Sequence, residues 1–144
     1  MSEPEVTTVG QIMSVDVTTI GAEHSLQEAI KVMISKGIRH LPVMKDGKIV
    51  AVISDRDLRM MVTDLVDNQS RVNYLKSTPV LKHASRPVST TTPDAAITDA
   101  ARMFVEQRIG CLPVLDDDDR LVGIITQTDL LKWVASLADM GPDD

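Results

Sequence analysis

The sequence has 144 residues and a formal net charge of −6 at neutral pH, and it is 43% hydrophobic and 25% charged. These values are typical of a folded globular chain. They exclude the basic surface of a nucleic-acid-binding protein, and one Phe, one Tyr and one Trp are too few for a base-stacking surface. Cys111 is the only cysteine, which excludes an internal disulfide and a multi-cysteine zinc site. With no signal peptide and no bilayer-length apolar run, we predict a cytoplasmic protein that binds neither nucleic acid nor membrane.

The first part of the chain predicts a short strand followed by an amphipathic helix. Residues 1–8 are polar and are predicted as a flexible tail, and residues 9–13 can form one helical turn. The β-branched segment 17–20 predicts a strand. Apolar residues then recur at three- and four-residue intervals over 26–34, and Gly37 is suited to end this helix. The predicted buried stripe consists of Leu26, Ala29, Ile30, Met33 and Ile34.

Two apolar segments at 40–44 and 49–54 predict a pair of strands buried on both faces. The Asp-Gly pair at 46–47 between them favours a tight hairpin. A helix is predicted from residue 55 to about 66, and the polar segment 67–79 is predicted as a linker.

The same order of elements recurs in the second half of the chain. Residues 38–43 (Ile-Arg-His-Leu-Pro-Val) match 109–114 (Ile-Gly-Cys-Leu-Pro-Val) at an offset of 71, and residues 53–58 match 125–130 at an offset of 72. Each copy of about sixty residues is too small to bury its own sheet, so we expect the two copies to pack on each other. The predicted organisation is a flexible tail (1–8), a first copy (9–66), a linker (67–79), a second copy (80–139) and a second tail (140–144).

A hydroxyl residue is followed three positions later by an aspartate at the same strand-to-helix step of both copies. The pairs are Ser54 with Asp57 and Thr126 with Asp129. One interpretation is a capping box, in which the two side chains satisfy the first free backbone N–H groups. The other is a ligand site, because a helix N-terminus binds phosphate and a carboxylate accepts hydrogen bonds from ribose hydroxyls. The spacing alone favours the cap.

The two copies differ just before the Leu-Pro-Val motif. Arg39 and His40 can be an exposed cation and a half-buried ring at a strand entry, or a pair that contacts phosphate. The second copy has Gly110 and Cys111 at these positions, so the two sites cannot bind one ligand equally.

No motif predicts catalysis or metal binding. Cys111 lacks an adjacent base and is predicted as a small buried residue. The three histidines do not have the spacing of metal ligands. A glycine-rich phosphate loop, a nucleophile elbow and paired catalytic carboxylates are all missing, so we predict no catalytic residue and no enzyme.

Together, the ordered Ile-x-x-Leu-Pro-Val and hydroxyl-x-x-Asp motifs resemble the CBS domain, named after cystathionine β-synthase, in its tandem pair (Bateman module). The resemblance covers residue 9 to about 65 and residue 80 to about 137. It implies an α+β fold of two βαββα motifs that pack through their sheets with pseudo-twofold symmetry. It also implies clefts that bind adenosine compounds.

The resemblance implies a role for each candidate residue. Asp57 and Asp129 would hold ribose hydroxyls, with the hydroxyl residue of each motif supporting ribose or phosphate. Arg39 and His40 match positions that contact phosphates, and the chain near residues 18–19 and 89–90 would line the adenine end. One stronger site and one weaker or empty site are therefore expected. The candidate residues are Thr18, Thr19, Arg39, His40, Pro42, Ser54 and Asp57 in the first copy and Ser89, Thr90, Gly110, Cys111, Pro113, Thr126 and Asp129 in the second.

The resulting hypothesis is a stand-alone, non-enzymatic sensor of AMP, ADP or ATP that requires no cofactor and acts on an effector protein in trans. Alternatives are a sensor of S-adenosylmethionine or a cyclic dinucleotide, and a ligand-independent dimerisation scaffold. The resemblance also implies a homodimer formed through the helices that follow the hairpins. The apolar residues available for that interface are Met60, Met61, Val62, Leu65, Leu131, Trp133, Val134 and Leu137.

Overall fold

The computed structural model describes residues 6–62 and 67–139. The predicted tail at 140–144, most of the tail at 1–8, and Leu65 lie outside the described residues, as does the side chain of Val62. In chain order the elements are α1 (Val9–Ile12), β1 (Ile20–Gly21), α2 (Leu26–Lys36), β2 (His40–Lys45), β3 (Lys48–Ser54), α3 (Asp55–Val62), α4 (Asn68–Ser77), a 3-10 helix (Val80–Lys82), α5 (Ile97–Gln107), β4 (Cys111–Leu115), β5 (Leu121–Thr126) and α6 (Gln127–Asp139).

The chain forms two compact units of mixed α and β structure. The central unit is Thr18–Val88, and the terminal unit is Met1–Val17 together with Ser89–Asp144. In the central unit β1 runs parallel to β2, and β2 pairs antiparallel with β3. In the terminal unit β4 pairs antiparallel with β5. A single parallel bridge from Thr91 to Val114 takes the place that β1 has in the other sheet.

The predicted hairpin is confirmed. Strands β2 and β3 match the predicted segments to within one residue, and both residues of the turn, Asp46 and Gly47, have positive φ (54° and 77°). Two positive φ angles are characteristic of the type I′ turn that suits the twist of paired strands. On β3 only alternate residues, Ala51 and Ile53, are buried, so the prediction that both faces are covered is wrong for this strand.

The helix α2 begins and ends where the sequence predicts. Ser25 accepts a hydrogen bond from the backbone N–H of Glu28, and Gly37 ends the helix in the left-handed conformation. The predicted stripe is buried at three of its five positions, whereas Ile34 is 77% exposed. The apolar stripe on α2 is therefore narrower than its spacing indicates.

Two segments differ from the predictions. Of the strand expected at 17–20, only Ile20 pairs with β2, and the strand continues to Gly21. The segment 67–79 contains the helix α4, which Asp67 caps by accepting from the backbone N–H of Ser70. This helix packs on α2.

The leading segment of the first copy packs in the terminal unit. Val9 is buried in that unit's core, and its backbone N–H donates to the carbonyl of Ala95 at 2.9 Å. Ser14 and Ile124 exchange two backbone hydrogen bonds of 2.9 Å. Thr7, in the predicted tail, also accepts from the N–H of Ile97 at 2.9 Å.

The leading segment of the second copy packs reciprocally in the central unit. Val80 is buried there, and its N–H donates to the carbonyl of His24 at 2.8 Å. Ser85 pairs with Val52 in the same way as Ser14 pairs with Ile124. The compact units therefore do not coincide with the two sequence copies. Within the described ranges, no helix combines the length and the apolar character needed to cross a membrane.

Candidate functional site

The candidate residues fall into two sets of seven, one in each compact unit. The central unit holds Thr18, Thr19, Arg39, His40, Pro42, Ser54 and Asp57. The terminal unit holds Ser89, Thr90, Gly110, Cys111, Pro113, Thr126 and Asp129.

In the central unit, Ser54 and Asp57 form a reciprocal capping box at the start of α3. The backbone N–H of Ser54 donates to Oδ2 of Asp57 at 2.9 Å, and the N–H of Asp57 donates to Oγ of Ser54 at 3.1 Å. Both residues are partly buried. The other carboxylate oxygen, Oδ1, accepts no hydrogen bond from the part of the chain that the structure describes. The cap therefore fixes the carboxylate and leaves one oxygen available to a donor from outside.

Thr126 and Asp129 repeat this geometry at the start of α6. The N–H of Thr126 donates to Oδ2 of Asp129 at 2.9 Å, and the N–H of Asp129 donates to Oγ1 of Thr126 at 3.2 Å. The threonine hydroxyl also donates to Oδ2 at 3.1 Å. Both motifs thus form capping boxes, as one interpretation of the sequence predicts. In each, the hydrogen bonds of the cap involve only Oδ2 of the carboxylate.

The strand register places His40 beside this cap. His40 is the partner of Ser54 in the antiparallel pairing of β2 and β3. The carbonyl of Arg39 accepts from the N–H of Asp55 at 2.8 Å, which joins the entry of β2 to the first residue of α3. The Arg39 side chain is exposed and the His40 ring is half-buried.

The terminal unit has the same backbone arrangement with different side chains. Cys111 is the partner of Thr126, and the carbonyl of Gly110 accepts from the N–H of Gln127 at 3.1 Å. The Gln127 side chain donates to the carbonyl of Ile109 at 3.2 Å. The backbone frame is therefore duplicated, whereas the groups that it presents are not.

Burial controls the protonation of the residue beside each cap. Burial lowers the pKa of His40, and the nearby Arg39 lowers it further, whereas the carboxylates of Asp57 and Asp55 raise it. In the terminal unit, burial and the charge of Asp129 raise the pKa of the Cys111 thiol to about 12. Cys111 is therefore a neutral thiol, in agreement with its prediction as a small buried residue.

The remaining candidates lie at the strand entries and in the strands. Thr18 and Thr19 directly precede β1, and the Ser89 hydroxyl donates to the Gln107 side chain in a short hydrogen bond. Pro42 and Pro113 are fully buried. Burial accounts for the repeated Leu-Pro-Val motif without a ligand.

Sequence reasoning missed Asp55, whose carboxylate raises the pKa of His40. The alignment of the two copies could have identified it. The offset of 72 aligns Asp55 and Arg56 with Gln127 and Thr128, so the copies differ in charge at four positions and not only at two. Among the described residues, no group of three or more His, Cys, Asp or Glu side chains could hold a metal ion. The site chemistry in these ranges is that of hydrogen-bond acceptors at a helix start, with cations beside them in the central unit.

Comparison with known proteins identifies relatives over nearly the whole chain. A family model of the CBS domain matches residues 9–64 and 80–136. A CBS domain-containing protein of Dictyostelium discoideum is 30% identical over 138 residues, which are 93% of this chain and 95% of that protein. The homoserine O-acetyltransferase of Methanosalsum zhilinae is 31% identical over 129 residues, which are 90% of this chain. The match is 24% of the acetyltransferase, so the chain spans about a quarter of that relative's length.

Solved structures show the same fold. The CBS domain pair of protein MJ0100, in complex with 5′-methylthioadenosine and S-adenosyl-L-methionine, superposes with a TM-score of 0.80 at 27% identity, over 92% of this chain and 99% of that one. The Arabidopsis thaliana CBS-pair protein CBSX2 in complex with AMP gives a TM-score of 0.74 at 25% identity, over 91% and 98% of the two chains.

Proposed function

The chain belongs to the CBS domain family, and from that premise we propose that it is a non-catalytic regulatory module that binds adenosine-containing ligands, with AMP, ADP or ATP as the ligand. The observation that carries the proposal is the duplicated cap, in which Asp57 and Asp129 are each held by the backbone and keep one carboxylate oxygen. A fixed carboxylate is suited to accept hydrogen bonds from the two hydroxyls of a ribose. The complexes of MJ0100 and CBSX2 with adenosine compounds support this assignment.

The other candidates complete the proposed contacts. In the central unit Arg39 and His40 contact phosphate, for which the planar fork of Arg is well suited. The segments at 18–19 and 89–90 line the adenine end, and Ser54 and Thr126 support the ribose. Ligand binding stabilises one arrangement of the module over another, and an effector protein in trans responds to that arrangement.

The test is calorimetric titration of adenosine, AMP, ADP and ATP into the wild type and into Asp57→Asn and Asp129→Asn. Asparagine can still accept the hydrogen bond from the N–H of residue 54 or 126, so the cap is largely retained. Its amide nitrogen, however, presents a donor where the ribose hydroxyls need an acceptor. Each variant should lose one class of site, with affinity reduced about tenfold or more, and the double variant should lose both.

A matched control is Asp117→Asn, which makes the same charge change in the exposed hairpin between β4 and β5. This variant should bind as the wild type does. A wild type that binds no adenosine compound contradicts the proposal, as does a double variant with full affinity.

A second candidate function is a ligand-independent scaffold, in which Asp57 and Asp129 act only as members of the capping boxes that they form. S-adenosylmethionine and a cyclic dinucleotide are alternative ligands within the main proposal. Mass spectrometry of gently purified protein separates these possibilities. A co-purified adenosine compound excludes the scaffold and identifies the ligand.

We propose in addition that the module is a homodimer. Three residues on one face of α6 are exposed although apolar: Leu131 (67%), Val134 (53%) and Leu137 (46%). On the same helix, Leu130 and Trp133 are partly buried and pack against the core of the terminal unit, so the apolar surface of α6 is wider than that core covers. The exposed face is the kind of surface that a second copy covers.

A further inference from the structure

We infer that the two sites select ligands of different charge: the central unit takes a phosphorylated adenosine, and the terminal unit takes an adenine nucleoside with an uncharged 5′ substituent. This inference rests on the proposed function, because it assumes that Asp57 and Asp129 each hold a ribose. It goes beyond a strong and a weak site for one ligand, since it assigns the terminal unit a ligand class of its own.

The inference starts from the side chains that the duplicated backbone frame presents. Equivalent positions carry Arg39, His40, Asp55, Arg56 and Asp57 in the central unit and Gly110, Cys111, Gln127, Thr128 and Asp129 in the terminal unit. All five side chains of the central set are ionisable. In the terminal set only Asp129 carries a charge, because the buried Cys111 is a neutral thiol. The backbone hydrogen bonds of the two frames are the same, so the difference is one of charge and not of architecture.

In the central unit the cations remain available to a ligand. Asp55 pairs with Arg59 on the same helix at 3.3 Å, whereas Arg39 and Arg56 are exposed and form no ion pair within the described residues. The half-buried His40 lies on the strand beside them and can accept a proton when an anion approaches. Two guanidinium groups and an imidazole can offset the charge of a phosphate next to Asp57.

In the terminal unit a phosphate would meet only negative charge from the equivalent positions. Asp129 is partly buried, where charge repulsion is screened less than in water. Gln127 is neutral and cannot offset the charge, and one N–H of its side-chain amide already donates to the carbonyl of Ile109. An uncharged 5′ substituent avoids this repulsion and can contact the small apolar surface of Cys111.

The cationic residue nearest in sequence to Gly110 is Arg108, which ends α5 two residues earlier and is exposed. If Arg108 supplied a phosphate contact, the terminal site would accept a nucleotide and the inference would be wrong. The experiment therefore includes this residue.

The test compares adenosine with AMP, which differ only by the phosphate, in calorimetric titrations that isolate each site. Asp57→Ala disables the central site, and Asp129→Ala disables the terminal one. We expect the Asp57→Ala protein to bind adenosine at least tenfold more tightly than AMP, and the Asp129→Ala protein to show the reverse order. In the Asp57→Ala background, Arg108→Ala should leave both affinities unchanged.

Exchange of the side chains should move the selectivity. Arg39→Gly with His40→Cys should weaken AMP binding at the central site about tenfold or more and leave adenosine binding intact. Gly110→Arg in the Asp57→Ala background should create AMP binding at the terminal site. This position has no positive φ, so arginine is compatible with its backbone. The single substitution also avoids placing a bulky imidazole at the buried Cys111.

The outcomes separate the two proposals. If neither compound binds the wild type, the proposed function fails and this inference fails with it. If both compounds bind but the isolated terminal site holds AMP as tightly as adenosine, only the inference is overturned. Loss of terminal-site AMP binding on changing Arg108 would overturn it in the same way.

Discussion

At the residue scale, the hydroxyl-x-x-Asp motif shows how one pair of side chains can serve both structure and ligand binding. The sequence permits both roles, because a capping box and a ribose site need the same residues at the same spacing, and the spacing alone favours the cap. The structure shows that one oxygen of Asp57 caps the helix and that the other is not used within the described residues. The ligand role itself stays a prediction.

The depressed pKa of His40 predicts a pH-dependent stability. Because burial is its largest cause, the folded protein binds the proton less readily than the unfolded chain does. The free energy of unfolding should therefore fall as the pH drops below the ordinary His value of about 6.5, and the loss should be complete at the lower pKa of the folded state. Urea denaturation of the wild type and of His40→Asn at several pH values between about 7.5 and 5 measures this.

His40→Asn should reduce the slope of stability against pH in that window. Phosphate binding should respond in the opposite direction, since protonation of His40 adds a cation beside the ligand. The ratio of the AMP affinity of the wild type to that of His40→Asn should thus rise on mild acidification while stability falls, and this ratio cancels the protonation of the AMP phosphate, whose second pKa is about 6. Parallel stability curves for the two proteins would show that His40 does not carry the dependence.

The residues that end helices α2 and α5 allow a test of how much a left-handed backbone conformation costs a residue other than glycine. Gly37 and Arg108 are equivalent at the offset of 71, and both adopt left-handed φ angles, of 64° and 55°. Nothing lies within 4 Å of a Cβ added at Gly37, so the strain of a substitution there is purely conformational. Gly37→Ala should lower the free energy of unfolding by about 1 kcal/mol, and Arg108→Gly should raise it by up to about 1 kcal/mol.

Chemical denaturation of both variants at neutral pH is the measurement. Lys36→Ala, one position before Gly37 in a helical conformation, is the control and should change stability little. A Gly37→Ala protein as stable as the wild type would contradict the conformational account.

At the element scale, the strongly patterned segments were predictable and the weakly patterned ones were not. The pair β2 and β3 was identified because a continuous apolar run and an Asp-Gly turn are specific signals. Helix α4 has no buried residue and no apolar stripe, so its polar sequence favoured a linker. It is held instead by contacts with α2 and with the segment after it, which no local pattern reveals.

Tyr74 connects α4 to the segment that follows it. Its hydroxyl and Nε2 of His83 are 2.5 Å apart, and Lys82 Nζ lies 5.7 Å from the centre of its ring. Tyr74→Phe keeps the ring and removes the hydrogen bond, which should cost about 1 kcal/mol. Hydrogen exchange of the α4 amides should accelerate in this variant. The exchange of the β2 and β3 amides should accelerate only as much as the loss of global stability requires.

The comparison variant is Lys82→Met, which removes the cation and keeps an apolar chain of similar length. An exposed cation–π contact contributes about 0.5 to 1 kcal/mol, so its effect on α4 should be no larger than that of Tyr74→Phe. Unchanged exchange rates of α4 in Tyr74→Phe would show that the hydrogen bond does not hold the helix.

At the scale of the whole molecule, the exchange of leading segments explains why the copies form a pair. Val9 fills the core beside α5, and Val80 fills the core beside α2, so each core is completed by the other copy. The sequence indicated that sixty residues are too few for an independent core. It did not indicate the exchange, because each segment begins its own copy at the same offset and fits either assignment.

The exposed face of α6 carries the prediction of a dimer. Leu131, Val134 and Leu137 follow each other at three-residue intervals and therefore lie along one side of the helix. Leu131→Glu with Val134→Glu places two carboxylates in the centre of that face, where burial against a second copy would leave them unpaired. Light scattering should show a dimer for the wild type and a monomer for this variant, with an unchanged circular dichroism spectrum.

The control for the dimer is Lys132→Glu, which also adds a carboxylate to an exposed position of α6 but lies off the apolar face. Because Lys132 is not aligned with the three apolar residues, this variant should remain a dimer at the same concentration. A wild type that is still monomeric at about 100 μM, which is about 100 times a micromolar dissociation constant, would contradict the proposed dimer. A dimer that survives in the double glutamate variant would place the contact on another surface. Two buried unpaired carboxylates would destabilise an interface on this face by far more than an exposed salt bridge could stabilise it.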